Sequence, residues 1–320
     1  MKSNAAEVQM RSGLPENWQR AFKNILPFVG LVIILVFFSV VTGGKLLESR
    51  NLLRMLTQSL PLIVGALGAS FIFSQNVVDM SMGSILGLSA ACAAYASQIS
   101  AGLGVVTAIG VGMGVGLLNG VLYGMLQINP LISTMAVSFI IRGMLQPFCG
   151  YGSVGISTAL RTLNTNEIKI GAVILLALAA YIIFEHTPVG RYVKFVGASE
   201  TVSKQSGISV RSIKIAGFIV SGAAAGAAGL LTLLRSGTAL PSTGNLFEFD
   251  VVIALVIGGM PITGGAESKI KSALIGACML TVLSSGMTMW GIEEYPQQIA
   301  KGIIFLVVLS ASFARKKQQR

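Results

Sequence analysis

A chain of 320 residues with 53% hydrophobic and only 11% charged residues cannot cover a water-facing surface, since about a quarter of the residues in a soluble domain are charged. The mean hydropathy of +0.77 excludes a soluble enzyme, a disordered protein and a nucleic-acid-binding domain, and points to one polytopic membrane domain. The net charge of +11 is read as orientation charge, because no basic cluster is interleaved with the stacking aromatics that a nucleic-acid groove requires.

Residues 1–24 are polar and read as a cytoplasmic tail. They are not expected to be a cleavable signal, because no small-residue cleavage site follows the first apolar run. Ten apolar segments follow, at 25–42, 60–74, 77–96, 103–126, 130–148, 168–184, 213–234, 249–265, 270–290 and 296–313. A crossing needs about 20 apolar residues. The third and eighth are rich in glycine and carry acids near their starts, so they are expected to be broken or re-entrant helices. The fold class is therefore an all-α polytopic membrane protein of about ten transmembrane helices. It is read as a single transmembrane domain over 25–313, with a cytoplasmic loop at 185–212 and a basic cytoplasmic tail at 314–320.

With both termini inside, most of the 23 Lys and Arg residues fall on the cytoplasmic side. Lys45, Arg50, Arg54, Arg161, Lys169 and Arg235 fall outside. The imbalance favours an N-in, C-in orientation, and the first outside loop, with three of these cations, fits it least well. Gly112, Gly116, Gly120 and Gly124 recur every four residues, and Gly222 and Gly226 repeat the spacing. Such faces let helix backbones approach within the bundle. Cys92, Cys149 and Cys278 read as small buried hydrophobes. One histidine, His186, leaves almost nothing to ligate a metal, and no cofactor is expected.

Ionisable groups inside a membrane are costly and so are functional candidates. Asp79 stands in Val77-Val78-Asp79-Met80-Ser81-Met82-Gly83-Ser84. It could line a polar cavity for a hydroxylated solute with Ser81 and Ser84, or cap the start of a half-helix. Arg142 could snorkel or pair with a carboxylate such as Asp79, and Lys301 reads as an interface residue. Glu248 and Asp250 flank Phe249 ahead of two glycine pairs, a cluster suited to a polar solute or a partner. The stretch 185–214 is polar, holds Arg191, Lys194, Lys204, Arg211 and Lys214, and lies between two apolar runs. Pro188 and Gly190 predict a turn, Glu200–Gln205 a short helix, and Gly207 its C-terminal stop. A short helix held between two spans suits docking into a groove of a soluble motor.

At these residues the chain resembles the permease subunit of ribose-type importers of the ATP-binding-cassette class. Thr187-Pro188-Val189-Gly190-Arg191-Tyr192, Gly197 and Ser206-Gly207-Ile208-Ser209-Val210 resemble that family's coupling segment. Asp79-Met80-Ser81-Met82-Gly83-Ser84 resembles its Asp-Leu-Ser-Val-Gly-Ser signature. Thr134 with Arg142-Gly143, Glu248 with Asp250, and Gly258-Gly259 with Gly264-Gly265 also fit, in order from about residue 51 to 311. Ser199 and Val202-Ser203 stand where the family often reads Asn-x-x-Ala-Ala.

The resemblance implies contacts to the ATPase at Gly190, Arg191, Gly197, Glu200, Ser206, Gly207 and Ile208. It implies a solute pathway at Asp79, Ser81, Ser84, Asn119, Thr134, Phe247 and Glu248. It also implies separate ATPase subunits, an extracytoplasmic sugar-binding protein and a second permease copy or paralogue, all set in the lipid of a bacterial inner membrane. No phosphate-cradling Gly-x-x-x-x-Gly-Lys-Ser/Thr loop occurs in this sequence, so no ATPase or other catalytic residue is expected here. A nucleoside or branched-chain amino acid importer, an ion-coupled transporter and an intramembrane enzyme are the competing readings, the last weakest because Asp79 with Ser81 is too thin a catalytic set.

Overall fold

Polar side chains set where several helices begin. Ser100, Asn129 and Thr165 each turn an oxygen onto a free backbone N–H, accepting from Leu103, Leu131 and Ile168 at 3.1, 3.0 and 3.4 Å. Pro130 follows Asn129 at the first helical position, where its missing N–H removes no bond.

The computed structural model describes residues 16–317, so parts of the predicted tails 1–24 and 314–320 lie outside the described residues. The helices are α1 (Glu16–Val41), α2 (Ser49–Phe73), α3 (Met82–Ser97), α4 (Ala101–Gly124), α5 (Pro130–Phe148), α6 (Thr158–Arg161), α7 (Asn166–Tyr181), α8 (Pro188–Ala198), α9 (Glu200–Gln205), α10 (Val210–Ser236), α11 (Phe247–Ile257), α12 (Lys271–Met289) and α13 (Glu294–Lys317). A π turn, Ile182–His186, extends α7. The strands β1 (Val154–Gly155) and β2 (Thr238–Ala239) pair antiparallel, Val154 opposite Ala239.

Six helices are long and apolar enough to cross a membrane: α2, α4, α5, α7 with its extension, α10 and α12. Pro27–Val41 and α3 are shorter apolar helices. The two segments expected to be interrupted are short as helices. α3 starts only at Met82 and has 16 residues, and α11 has 11 residues. At 1.5 Å per residue these are about 24 and 16 Å long, against a hydrocarbon core of about 30 Å. The predicted turn at Pro188 and Gly190 is absent. Pro188 instead opens α8 and Gly190 lies within it, because proline at the first helical position starts a helix rather than breaking it. Much of the predicted 185–212 loop is therefore helical.

α2 and α10 form the interior, and α10 packs against α4, α2 and α3. The glycine face of α4 meets α10 inside the bundle. A Cβ at Gly112 would strike the Gly222 carbonyl, one at Gly116 the Phe218 carbonyl, and one at Gly226 the Ala108 carbonyl. Only hydrogen fits between these backbones, and dispersion at that distance replaces the hydrophobic drive that lipid cannot supply. Gly222→Leu is expected to lower the amount of folded protein in membranes severalfold, read by fluorescence-detected gel filtration. Gly114→Leu, on the same α4 but with open space around it, is the control and should leave the amount unchanged.

The two ends of the bundle differ. At one end the turn after α2, the end of α8 and the 258–270 loop gather. At the other, Ser157 N–H donates to Ser97 Oγ at 3.1 Å, Gln98 Nε2 to the Gly155 carbonyl at 3.1 Å, and Tyr95 Oη to the Phe148 carbonyl at 2.9 Å.

Candidate functional site

The eight residues between α2 and α3 bring Asp79 into the interior. Its Oδ1 accepts from Ser81 N–H at 2.8 Å and from Ser81 Oγ at 2.5 Å. Its Oδ2 accepts from Ser221 Oγ on α10 at 3.5 Å. Asn119 Nδ2 on α4 donates to Ser81 Oγ at 2.8 Å. Thr134 Oγ1 on α5 accepts from Met80 N–H at 3.1 Å, and Ser84 Oγ turns back onto the Ser81 carbonyl at 2.8 Å. The knot ties the start of α3 to α4, α5 and α10. Asp79, Ser81, Ser84, Asn119 and Thr134 are all buried, none more than 5% exposed. Five of the residues expected along a solute pathway thus come together in one buried cluster, in which Asn119 Oδ1 has no hydrogen-bond partner among the described residues. Both bonds that Asp79 accepts from Ser81 lie at the residue that precedes α3.

The remaining pathway residues sit on the other interrupted segment. Phe247 packs its ring onto Gly65 of α2, and Glu248 reaches the backbone of α3 at Gly83. Gly83 and Gly244 lie backbone to backbone, so the starts of α3 and α11 meet there. Arg142 does not pair with Asp79. Its Nη1 donates to the Thr243 carbonyl at 2.9 Å and its Nη2 to the Gly244 carbonyl at 2.6 Å, which holds the non-helical approach to α11 in place. Glu248 Oε2 is buried without a hydrogen-bond partner among the described residues. Lys301, expected to snorkel, instead bridges α13 to α11 through Asp250, at 2.8 and 3.1 Å.

The residues expected to contact an ATPase gather at the end that holds α8 and α9. Ser199 accepts from Val202 N–H at 3.3 Å to start α9. Gly207, at φ +79°, ends it, in a left-handed conformation that glycine adopts without strain. Ile208 N–H closes back onto the Ser203 carbonyl at 3.0 Å. Ser206 Oγ bonds the Val202 carbonyl at 2.9 Å. Glu200 forms an ion pair with Lys214 at 2.6 Å, and the Lys214 ammonium lies 4.2 Å from the centre of the Tyr123 ring. Gly190 lets α8 fold against the Phe184 backbone, and Arg191 is exposed.

Gly197 sits at a junction of three segments. Ser74, at the end of α2, accepts from Gly265 N–H at 2.8 Å, and a Cβ on Gly197 would strike that same carbonyl. Glu185 adds a second tie, taking Lys194 at 2.6 Å and the Ile270 N–H at 3.0 Å. Val189, Tyr192 and Phe195 of α8 and Val202 of α9 are exposed. Sequence reasoning assigned no contact to these four. The spacing of three from Val189 through Tyr192 to Phe195 was a signal, but it reads as a face only once α8 is recognised as a helix.

Residues 51–311 match the family described as the branched-chain amino acid transport system, permease component. The chain belongs to this family. With its six long apolar helices, it is a multi-pass membrane protein. It is similar to the ribose import permease protein of Escherichia coli K12, 27% identical over 297 residues that span 87% of this chain and 91% of the relative. The ribose import permease protein of Bacillus subtilis is 30% identical over 296 residues, 88% of this chain and 90% of the relative. The galactose/methyl galactoside import permease protein of E. coli K12 is 29% identical over 320 residues, 89% and 94% of the two chains. No solved structure matches the chain significantly.

Proposed function

We propose that this chain is the membrane-spanning subunit of an ATP-driven importer, carrying a monosaccharide handed over by an extracytoplasmic binding protein. The single observation that carries the reading is the α8–α9 segment. It exposes Val189, Tyr192, Phe195 and Val202 and is anchored to the bundle through Glu200–Lys214 and the Gly197 junction. That is a shape a soluble ATPase can push on. Similarity over most of their length to permeases named for ribose and galactose supports the sugar.

In this reading the chain crosses the bilayer ten times with both termini inside, two interrupted crossings contain α3 and α11, and a second copy or paralogue completes the pore. The family description favours one other solute, a branched-chain amino acid. A zwitterion needs charges free to meet it. Asp79 is enclosed by serines and Arg142 is held by two carbonyls, so the uncharged solute is the better fit. ATP closure at α8–α9 would then shift the bundle between outward and inward openings.

The test is reconstitution with ATPase and binding-protein partners, scored for ATP-dependent accumulation across a panel of pentoses, hexoses and branched-chain amino acids. Uptake that persists without any ATPase and collapses with an ionophore would overturn the proposal. A sharper version uses Gly207→Pro. Proline fixes φ near about −65°, which is incompatible with +79° at this position. The variant is expected to hydrolyse ATP while uptake falls to background at normal membrane abundance.

A further inference from the structure

Lys45, Arg50, Arg54, Arg161, Lys169 and Arg235 lie toward the end of the bundle opposite α8 and α9, the outer face under the proposed function on which this inference rests. The positive-inside bias works against cations there. Three of them converge. Lys169 Nζ bonds Asn164, whose backbone N–H in turn donates to the Arg161 carbonyl at 3.0 Å. The Arg161 guanidinium lies 3.6 Å from where a Cβ on Gly237 would stand, two residues past Arg235. None of the three forms an ion pair among the described residues.

Lys169 is the telling member. It is only 7% exposed, its Nζ donates to Asn164 Oδ1 at 2.8 Å, and it occupies the first turn of α7. A helix start carries partial positive charge, which disfavours a cation. Arg235 is in the last turn of α10, where a cation is favoured, but it and Arg161 are exposed and add their fields to that of Lys169. Three convergent cations, one of them buried at an unfavourable helix end, call for an external anion.

We propose that Arg161, Lys169 and Arg235 form the docking point for surface carboxylates of the extracytoplasmic binding protein. The trio stands at the end of α10, an interior helix, beside the paired strands β1 and β2. A protein seated on the end of the bundle reaches it more directly than a headgroup in the surrounding leaflet. Such pairs at an interface rim chiefly set encounter rate and register.

The experiment uses the reconstituted importer in nanodiscs with purified ribose-binding and galactose-binding proteins as probes, measuring the binding-protein concentration that half-maximally stimulates ATP hydrolysis. For Arg161→Glu with Arg235→Glu that concentration is expected to rise by about tenfold or more, with unstimulated hydrolysis unchanged. Arg161→Gln with Arg235→Gln should give a smaller rise, and added salt should raise the wild-type value more than the variants'. Stimulation of wild type and both double variants at the same concentration would overturn the docking assignment while leaving the transport reading intact. Absence of stimulation even in wild type would overturn both. An effect of the variants that vanishes in nanodiscs free of anionic lipid would make the trio a lipid site and likewise overturn the proposal.

Discussion

Gly197→Ala is expected to leave the reconstituted complex hydrolysing ATP while sugar uptake per ATP falls by about tenfold or more. The added methyl group would land on the Ser74 carbonyl and close to Gly265 N. Both are backbone atoms, so no rotamer change relieves the contact, and the 2.8 Å bond between Ser74 and Gly265 must open. Overpacking of this kind costs about 1–3 kcal/mol, roughly a five- to 150-fold shift in how often the junction is closed. The junction joins α8 to the chain entering α3 and to the chain leaving α11, so one opening disconnects both short helices from the segment proposed to meet the ATPase. An unchanged ratio of sugar moved to ATP hydrolysed would show that force does not pass through Gly197.

The second large effect is at Asp79. Asp79→Ala strips acceptors from Ser81 N–H, Ser81 Oγ and Ser221 Oγ in a fully enclosed site. Each buried donor left without a partner costs about 1–3 kcal/mol, and the total rivals the whole stability of many domains, about 5–15 kcal/mol. Asp79→Ala is expected to lose most of its folded protein on mild heating in detergent, whereas Asp79→Asn keeps one oxygen acceptor and should be intermediate. The alternative, direct contact with solute, predicts the reverse pattern: normal thermal resistance with an altered apparent KM for sugar. Finding that pattern would remove Asp79 from the buried knot and return it to the pathway.

Hydropathy and glycine content exposed the long apolar helices and the two short ones, because a break in a membrane helix requires both polar residues and close backbone approach. The α4 glycine repeat likewise carried its own packing direction. What the sequence could not show was the partner of each buried charge. Arg142 is held by the carbonyls of Thr243 and Gly244, and a backbone acceptor has no residue identity to read. Lys301 and Asp250 are 51 positions apart, so only the packing of α13 on α11 pairs them. Of the expected pathway residues, Asp79, Ser81, Ser84, Asn119 and Thr134 were legible as a polar group but not as one buried cluster. Their inward direction depends on the non-helical turn after Ser74. The apolar face of α8 was hidden by its own first residues, since Pro188 and Gly190 together suggest a turn when each is weighed without the helix around it.

The touching backbones of α4 and α10 have a mechanical consequence. Most helix pairs are separated by a layer of side chains that can yield when one axis is pushed. Here carbonyls and α-carbons meet directly at Gly112, Gly116, Gly222 and Gly226, so that compliant layer is missing. Under the proposed function, a thrust entering through Lys214 near the foot of α10 would travel along this closely packed pair toward Arg235 at its head, with little lost as local deformation.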